Sequence, residues 1–350
     1  MRIQATFIAI AFCFLSAVVF AQNSTSPKKI NSIFSDDVIK PRMRVIIDND
    51  FGGDPDGLFA LVHHLLSPSV DIRAIIGSHL RAGDVWDPSN ETATHAKKKI
   101  EEVVSLMNLG KTFPVYQGSN SALENDSTPQ KSDAASAIIK EALRDDTKLP
   151  LYVVCGAGLT DIASAYLLEP RIANRLTLIW IGGPEYADLA TPPPGYTTLE
   201  YNLGIDLIAG QVVFNKSSVP IWQIPRNVYR QVIMPYSSLL LKVKPQGKIG
   251  EYLTVAVERI MKMGMKYNFN IGEVYITGDS PLVLLTALQS TFEPDPSSSF
   301  YVLRPSPRIN NLGLYEVNHS GRNIRVYTQL DVQLLLDDFY SKLALFNQSK

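Results

Sequence analysis

The chain has 350 residues, of which 45% are hydrophobic, 19% charged and 9% aromatic. This balance fits a folded globular protein and excludes a disordered or collagen-like one. Thirty-three Lys plus Arg against 34 Asp plus Glu leave a formal charge of -1, too little to hold a polyanion by counterion release, so nucleic acid is not expected as a partner.

Residues 1–21 read as a secretory signal peptide. Arg2 precedes an apolar run from Ala5 to Val19, and Val19-Phe20-Ala21 offers a cleavage site. A membrane anchor needs about 20 apolar residues, whereas the polar run Gln22-Asn23-Ser24-Thr25-Ser26 follows at once. No stable membrane anchor is therefore expected, and the destination is the periplasm or the outside of the cell. Cleavage removes Arg2 and Cys13 and leaves Cys155 as the only cysteine, so no disulfide forms within one molecule.

After a polar leader over 22–40, residues 41–350 read as a single domain. Strand patterns at 43–47, 70–76, 114–116, 149–155, 176–181 and 220–223 alternate with helix patterns at 56–66, 91–107, 132–144, 159–168, 205–214 and 248–265; a last helix spans 331–345. This alternation predicts an α/β fold, an open and mostly parallel sheet with helices on both faces and ligands at the loops that follow the strands. The Pro- and Tyr-rich segment 184–198 is too long for a simple connector, and Tyr186, Tyr196 and Tyr201 in or beside it are either aromatics able to stack on a substrate ring or ordinary surface loop tyrosines.

The first strand runs into Asp48-Asn49-Asp50-Phe51-Gly52-Gly53-Asp54-Pro55-Asp56-Gly57. Four carboxylates in nine residues are costly unless a cation neutralises them. Helix capping accounts for Asp54 and Asp56 beside Pro55 but leaves Asp48 and Asp50 without a reason. Oxygen ligands at this density suit Ca²⁺ or Mg²⁺.

This turn resembles the signature of the nucleoside hydrolase family, an apolar strand followed by Asp-x-Asp-x-Gly-x-Asp-Asp and an apolar helix. Pro114-Val115-Tyr116-Gln117-Gly118, Val153 to Ala163, Ile179-Trp180-Ile181-Gly182-Gly183, Glu200-Tyr201-Asn202 with Asp206, and Gly278-Asp279-Ser280-Pro281-Leu282 resemble further family segments, in the family's order from residue 43 to about 290. The resemblance implies a Rossmann-like core and one Ca²⁺ at the bottom of a pocket. Asp50 would be both a metal ligand and the acid that takes a proton from water; Asp56 and Asp279 would be metal carboxylates, and Gly156 would supply a carbonyl. Asp54, Glu200 and Asn202 would line the sugar, with Ser78 a shorter substitute there; His79, read from its place at the ligand end of a strand and not from the resemblance, is either a further substrate residue or a plain polar loop residue. Family members are often oligomers, so a homo-oligomer is compatible with the resemblance.

Three departures stand out. Pro55 splits the family's adjacent Asp pair, so either Asp54 or Asp56 is able to face the metal. Ser78 replaces an Asn that would grip the sugar. Gly278 replaces a His that protonates the leaving base in one branch of the family.

Other chemistry-bearing residues have plainer readings. His63, His64 and His95 lie in helix patterns and His319 in a polar turn. Cys155 ends an apolar strand and reads as packing. A phosphatase of the haloacid dehalogenase kind needs a later Lys and Ser/Thr phosphate grip with no counterpart here, and Gly156-Ala157-Gly158 lacks the third glycine of a dinucleotide fingerprint. The function implied is calcium-dependent hydrolysis of an N-glycosidic bond in a ribonucleoside or related small-molecule glycoside. The alternative is a non-catalytic, calcium-dependent sugar- or nucleoside-binding protein, favoured by Ser78 and Gly278.

Overall fold

The computed structural model describes residues 34–35, 37–196, 199–290 and 298–349. The expected signal peptide and most of the leader lie outside the described residues.

In chain order the elements are β1 (Met43–Asn49), α1 (Asp56–Leu65), β2 (Val70–Gly77), α2 (Thr92–Leu106), β3 (Val115–Gln117), α3 (Asp133–Ala142), β4 (Leu151–Cys155), α4 (Thr160–Leu168) and β5 (Thr177–Ile181). Next come α5 (Tyr201–Ile205), α6 (Leu207–Gln211), β6 (Ile221–Ile224), α7 (Arg226–Tyr229), β7 (Ile233–Pro235), α8 (Tyr236–Ser238), α9 (Gly247–Lys266), β8 (Val274–Ile276) and α10 (Pro281–Leu284). The chain closes with β9 (Phe300–Pro305), β10 (Arg308–Ile309), β11 (Tyr315–Glu316), β12 (Asn323–Gln329) and α11 (Val332–Gln348).

Eight strands form one sheet in the order β3-β2-β1-β4-β5-β6-β12-β9. All neighbours are parallel except β12 and β9, which are antiparallel. Alternate residues feed opposite faces. Val45, Ile47, Ile75 and Val154 pack under α1, α2, α9 and α11 with Phe59, Ile100, Leu253 and Phe339. Ile46, Ile76, Val153 and Trp180 pack on the other face with Ile138, Ile162 and Phe214. Both faces are covered, so the central strands are continuously apolar, and β1 is buried along its whole length.

The expected α/β fold is observed, and the strand and helix patterns up to residue 181 fall within two residues of the elements found. Two stretches differ. The expected helix at 205–214 is broken at Asp206, whose carboxylate accepts the Ala209 N–H at 2.9 Å and starts a new helix. The strands after β6 carried no expectation: β7 and β8 form a two-stranded ribbon, and β12 and β9 extend the main sheet.

From β1 the chain steps outward to β2 and β3, then crosses back to β4 on the opposite side of β1. The C-terminal ends of β1 and β4 therefore diverge into a crevice at a topological switch point.

Candidate active site

Several elements deliver acids to this crevice. Asp50 follows the last residue of β1, and the turn after it closes with the Gly53 N–H donating to the Asp50 carbonyl at 2.8 Å. Pro55 precedes α1, whose first residue is Asp56. From the far end of the sequence, β8 leads through Thr277 and Gly278 to Asp279, two residues before α10. Asp279 is buried, Asp50 and Asp56 are half-buried, and Asp54 stands at the mouth with its carboxylate accepting the Tyr275 hydroxyl.

Asn49 ties these pieces together. Its Nδ2 donates to Asp279 Oδ2 at 2.8 Å, and its Oδ1 accepts the Asp50 N–H at 2.8 Å. A Cβ on Gly156, just beyond β4, would lie 2.6 Å from Asn49 Nδ2 and 2.8 Å from Asp279 Oδ1. Only a glycine lets the three segments approach so closely.

Burial raises the pKa of each of these acids, and for Asp50, Asp56 and Asp279 the charge of neighbouring acids adds to it. Burial pushes Asp50 well above the usual carboxylate range, and the charges of Asp279, Asp54 and Asp84 push it further. Asp56 is raised well above that range by burial and then by Asp279, Asp54 and Asp50. Asp279 is pushed up to about 7 by burial, against the stabilising Asn49 bond, and Asp54 to about 6 by burial, against the Tyr275 bond. Among the described residues no Lys, Arg or His forms an ion pair with these four. The donor set suits a hard dication. Even so, among the described residues no three His, Cys, Asp or Glu side chains are gathered into a ready-made metal-binding group.

The expected substrate residues fall into two kinds. Glu200 and Asn202 lie at the crevice, held in place by several bonds. Glu200 accepts the Gly183 N–H (2.8 Å), the Leu203 N–H (2.9 Å) and the Tyr229 hydroxyl (2.8 Å). Asn202 Nδ2 donates to the carbonyls of Gly156 (3.0 Å) and Ile181 (2.8 Å). Ser78 and His79 are buried below. The Ser78 hydroxyl donates to Asp48. The His79 ring contacts the Leu80 carbonyl (2.8 Å) and Thr160 Oγ1 (2.7 Å), and the Thr160 hydroxyl in turn donates to Asp206 (2.7 Å).

The three tyrosines also differ. Tyr186 is buried and stacks on Tyr315, with ring centroids 4.6 Å apart. Tyr196 is flanked by the guanidinium groups of Arg226 and Arg230. Tyr201 donates to Asp84 at 2.8 Å and lies under Arg81. Tyr186 and Tyr196 line a cavity of about 570 Å³ between the segment after β5 and the β9–β11 region, which His319 also lines.

Sequence reasoning passed over Asn49, Tyr229 and Tyr275. An amide between two strand-end acids was a readable signal for Asn49. Tyr229 had none: its ring lies 3.3 Å from where a Cβ on Gly278 would be, a proximity that only the fold creates.

Residues 45–336 match the family described as inosine-uridine preferring nucleoside hydrolase. A Leishmania major protein of that same description is 28% identical over 193 residues, an alignment covering 50% of this chain and 57% of that protein. Among solved structures, a purine-preferring ribonucleoside hydrolase from Gardnerella vaginalis superposes with a TM-score of 0.67 at 18% identity, over 88% of this chain and all of that one (100%). An inosine-uridine preferring nucleoside hydrolase from Bacillus anthracis superposes with a TM-score of 0.61 at 17% identity, over 87% and 99% of the two chains. These two likenesses are of fold, and the match over 45–336 carries the lineage: this chain belongs to the inosine-uridine preferring nucleoside hydrolase family.

Proposed function

We propose that this chain, after export from the cytoplasm, hydrolyses the N-glycosidic bond of a ribonucleoside or a related furanoside, with Ca²⁺ as its cofactor. The observation that carries this reading is the crowding of Asp50, Asp56 and Asp279 in one crevice at the switch point, each with a raised pKa and none with a cationic partner among the described residues. Acids so placed need a cation or protons to be stable.

Asp50, Asp56, Asp279 and the Gly156 carbonyl would hold the ion. One lone pair of that carbonyl is engaged by Asn202, which leaves the other for a ligand. A bound dication supplies charge neutralisation and lowers the pKa of water beside it. Asp50 takes a proton from the attacking water as the oxygen bonds to the anomeric carbon and the C–N bond breaks; the electron pair leaves with the base, which takes up a proton from solvent, and Asp50 returns its own proton to solvent. The positive charge that develops on the sugar ring is stabilised by the surrounding carboxylates. Asp54, at the mouth, holds a sugar hydroxyl; Glu200 and Asn202 form the rim. Ser78 and His79 support the floor through Asp48 and Thr160.

The test is turnover of the mature protein against nucleosides and other furanosides, with Ca²⁺ and with chelator. Calcium-dependent release of a free base supports the reading. Tight binding of a furanoside with no release across all classes replaces it with that of a calcium-dependent binding protein.

A further inference from the structure

We infer that Asn49 is a positioning residue that holds Asp279 in the orientation a cation requires. The inference rests on the calcium reading above and deepens it.

The Asn49 amide is 1% exposed and its orientation is determined from both ends. Its Oδ1 must face the Asp50 N–H, because that group is a donor, and this leaves Nδ2 to face Asp279. A donor on Oδ2 favours the ionised carboxylate and turns Oδ1 toward Gly156. The same amide thus connects the main chain of one proposed ligand, Asp50, to the side chain of a second, Asp279, and packs against a third, Gly156. It also limits α1: a Cβ on Gly57 would lie 2.8 Å from Asn49 Nδ2 and 3.2 Å from Asp279 Oδ2. No other hydrogen bond to the Asp279 side chain is formed among the described residues, so without Asn49 this carboxylate has neither a donor to favour its charge nor a fixed rotamer. Partners of metal ligands act in this way, and their loss typically costs about 10- to 100-fold in metal affinity.

The experiment compares wild type, Asn49→Ala and Asn49→Leu, the last of which preserves volume without a donor. Calcium titration calorimetry is combined with melting curves taken from chelator to millimolar Ca²⁺. For both variants the expected result is a Ca²⁺ dissociation constant about 10- to 100-fold weaker. The calcium-induced rise in melting temperature should occur at correspondingly higher Ca²⁺, with the metal-free melting temperature only slightly lower. Calcium affinity within about two-fold of wild type overturns the inference and leaves the calcium reading standing. Failure of both variants to fold also overturns it, since the residue would then serve the fold and not the carboxylate. Wild-type protein that takes up no Ca²⁺ sinks the calcium reading and this inference together.

Discussion

The His63 Nε2–H donates to Asp338 at 2.7 Å, and Lys342, one turn further along α11, reaches the same carboxylate oxygen at 2.6 Å. This cluster joins α1 to α11 beneath the crevice, and the next residue, His64, contacts Thr286 just after α10 at 3.1 Å. Burial depresses His63 to about 4 and His64 to about 3, from 6.5 for a free histidine. Below pH 6.5 the unfolded chain takes up protons that the folded chain refuses, so stability falls with falling pH until the folded values are reached. The loss through His63 is on the order of 3 kcal/mol by pH 4. Urea midpoints of wild type and His63→Gln between pH 7 and 4 check this: the variant should lose distinctly less stability over that window. Parallel curves would show that His63 does not titrate as described.

Asp279→Asn should act in opposite directions with and without calcium. In chelator it removes one of several mutually repelling acids, so the melting temperature should hold or rise. With Ca²⁺ it removes a charged ligand, so the calcium-induced gain should shrink. Differential scanning calorimetry under both conditions decides, and an undiminished calcium gain would remove Asp279 from the ligand set.

Asp50→Ala should reduce turnover by about 10²- to 10⁴-fold, the usual contribution of a placed proton acceptor, and should weaken substrate affinity much less. Steady-state kinetics on whichever furanoside the wild type cleaves separates the two. Equal losses in kcat/KM and affinity, with kcat preserved, would remove Asp50 from the role of base.

Gly156→Ala should be destabilising by about 1–3 kcal/mol, the usual cost of overpacking, because the new methyl meets Asn49 Nδ2 and Asp279 Oδ1 well inside contact distance. Calcium binding should fall with it. Chemical denaturation and calorimetry test both effects, and a neutral substitution would show that the β4 end is free to move away from Asp279.

Much of this architecture was legible because apolar runs and turns carry it. The all-buried strand Met43–Asn49 and the helix Asp56–Leu65 show as runs in the sequence, and the acidic turn between them singles out the crevice. What escaped has physical reasons. In β12 the charged Arg325 interrupts the apolar pattern, and the structure offsets this by laying its guanidinium over Trp222 and Tyr301. Ser78 and His79 follow a strand at its ligand end, yet partners from distant segments, Asp48 and Thr160, engage them internally. Pairings of this kind depend on tertiary approach and leave no local pattern. For the same reason Tyr229, beside Gly278, could not be foreseen.

The bond between Asn49 and Asp279 spans 230 positions of sequence. Its two ends lie in the strand that enters the sheet first and in a turn reached only after six parallel strands and the longest helix have been laid down. A nascent chain or a proteolytic fragment that ends before this turn has the acidic loop of residues 48–57 but lacks its distant counterpart. Loop closure of that length is entropically slow to reward, so the crevice cannot close before segments 230 positions apart have met. Formation of this contact therefore depends on the whole stretch from residue 49 to residue 279: a copy truncated before that turn would carry the acidic motif without its distant carboxylate.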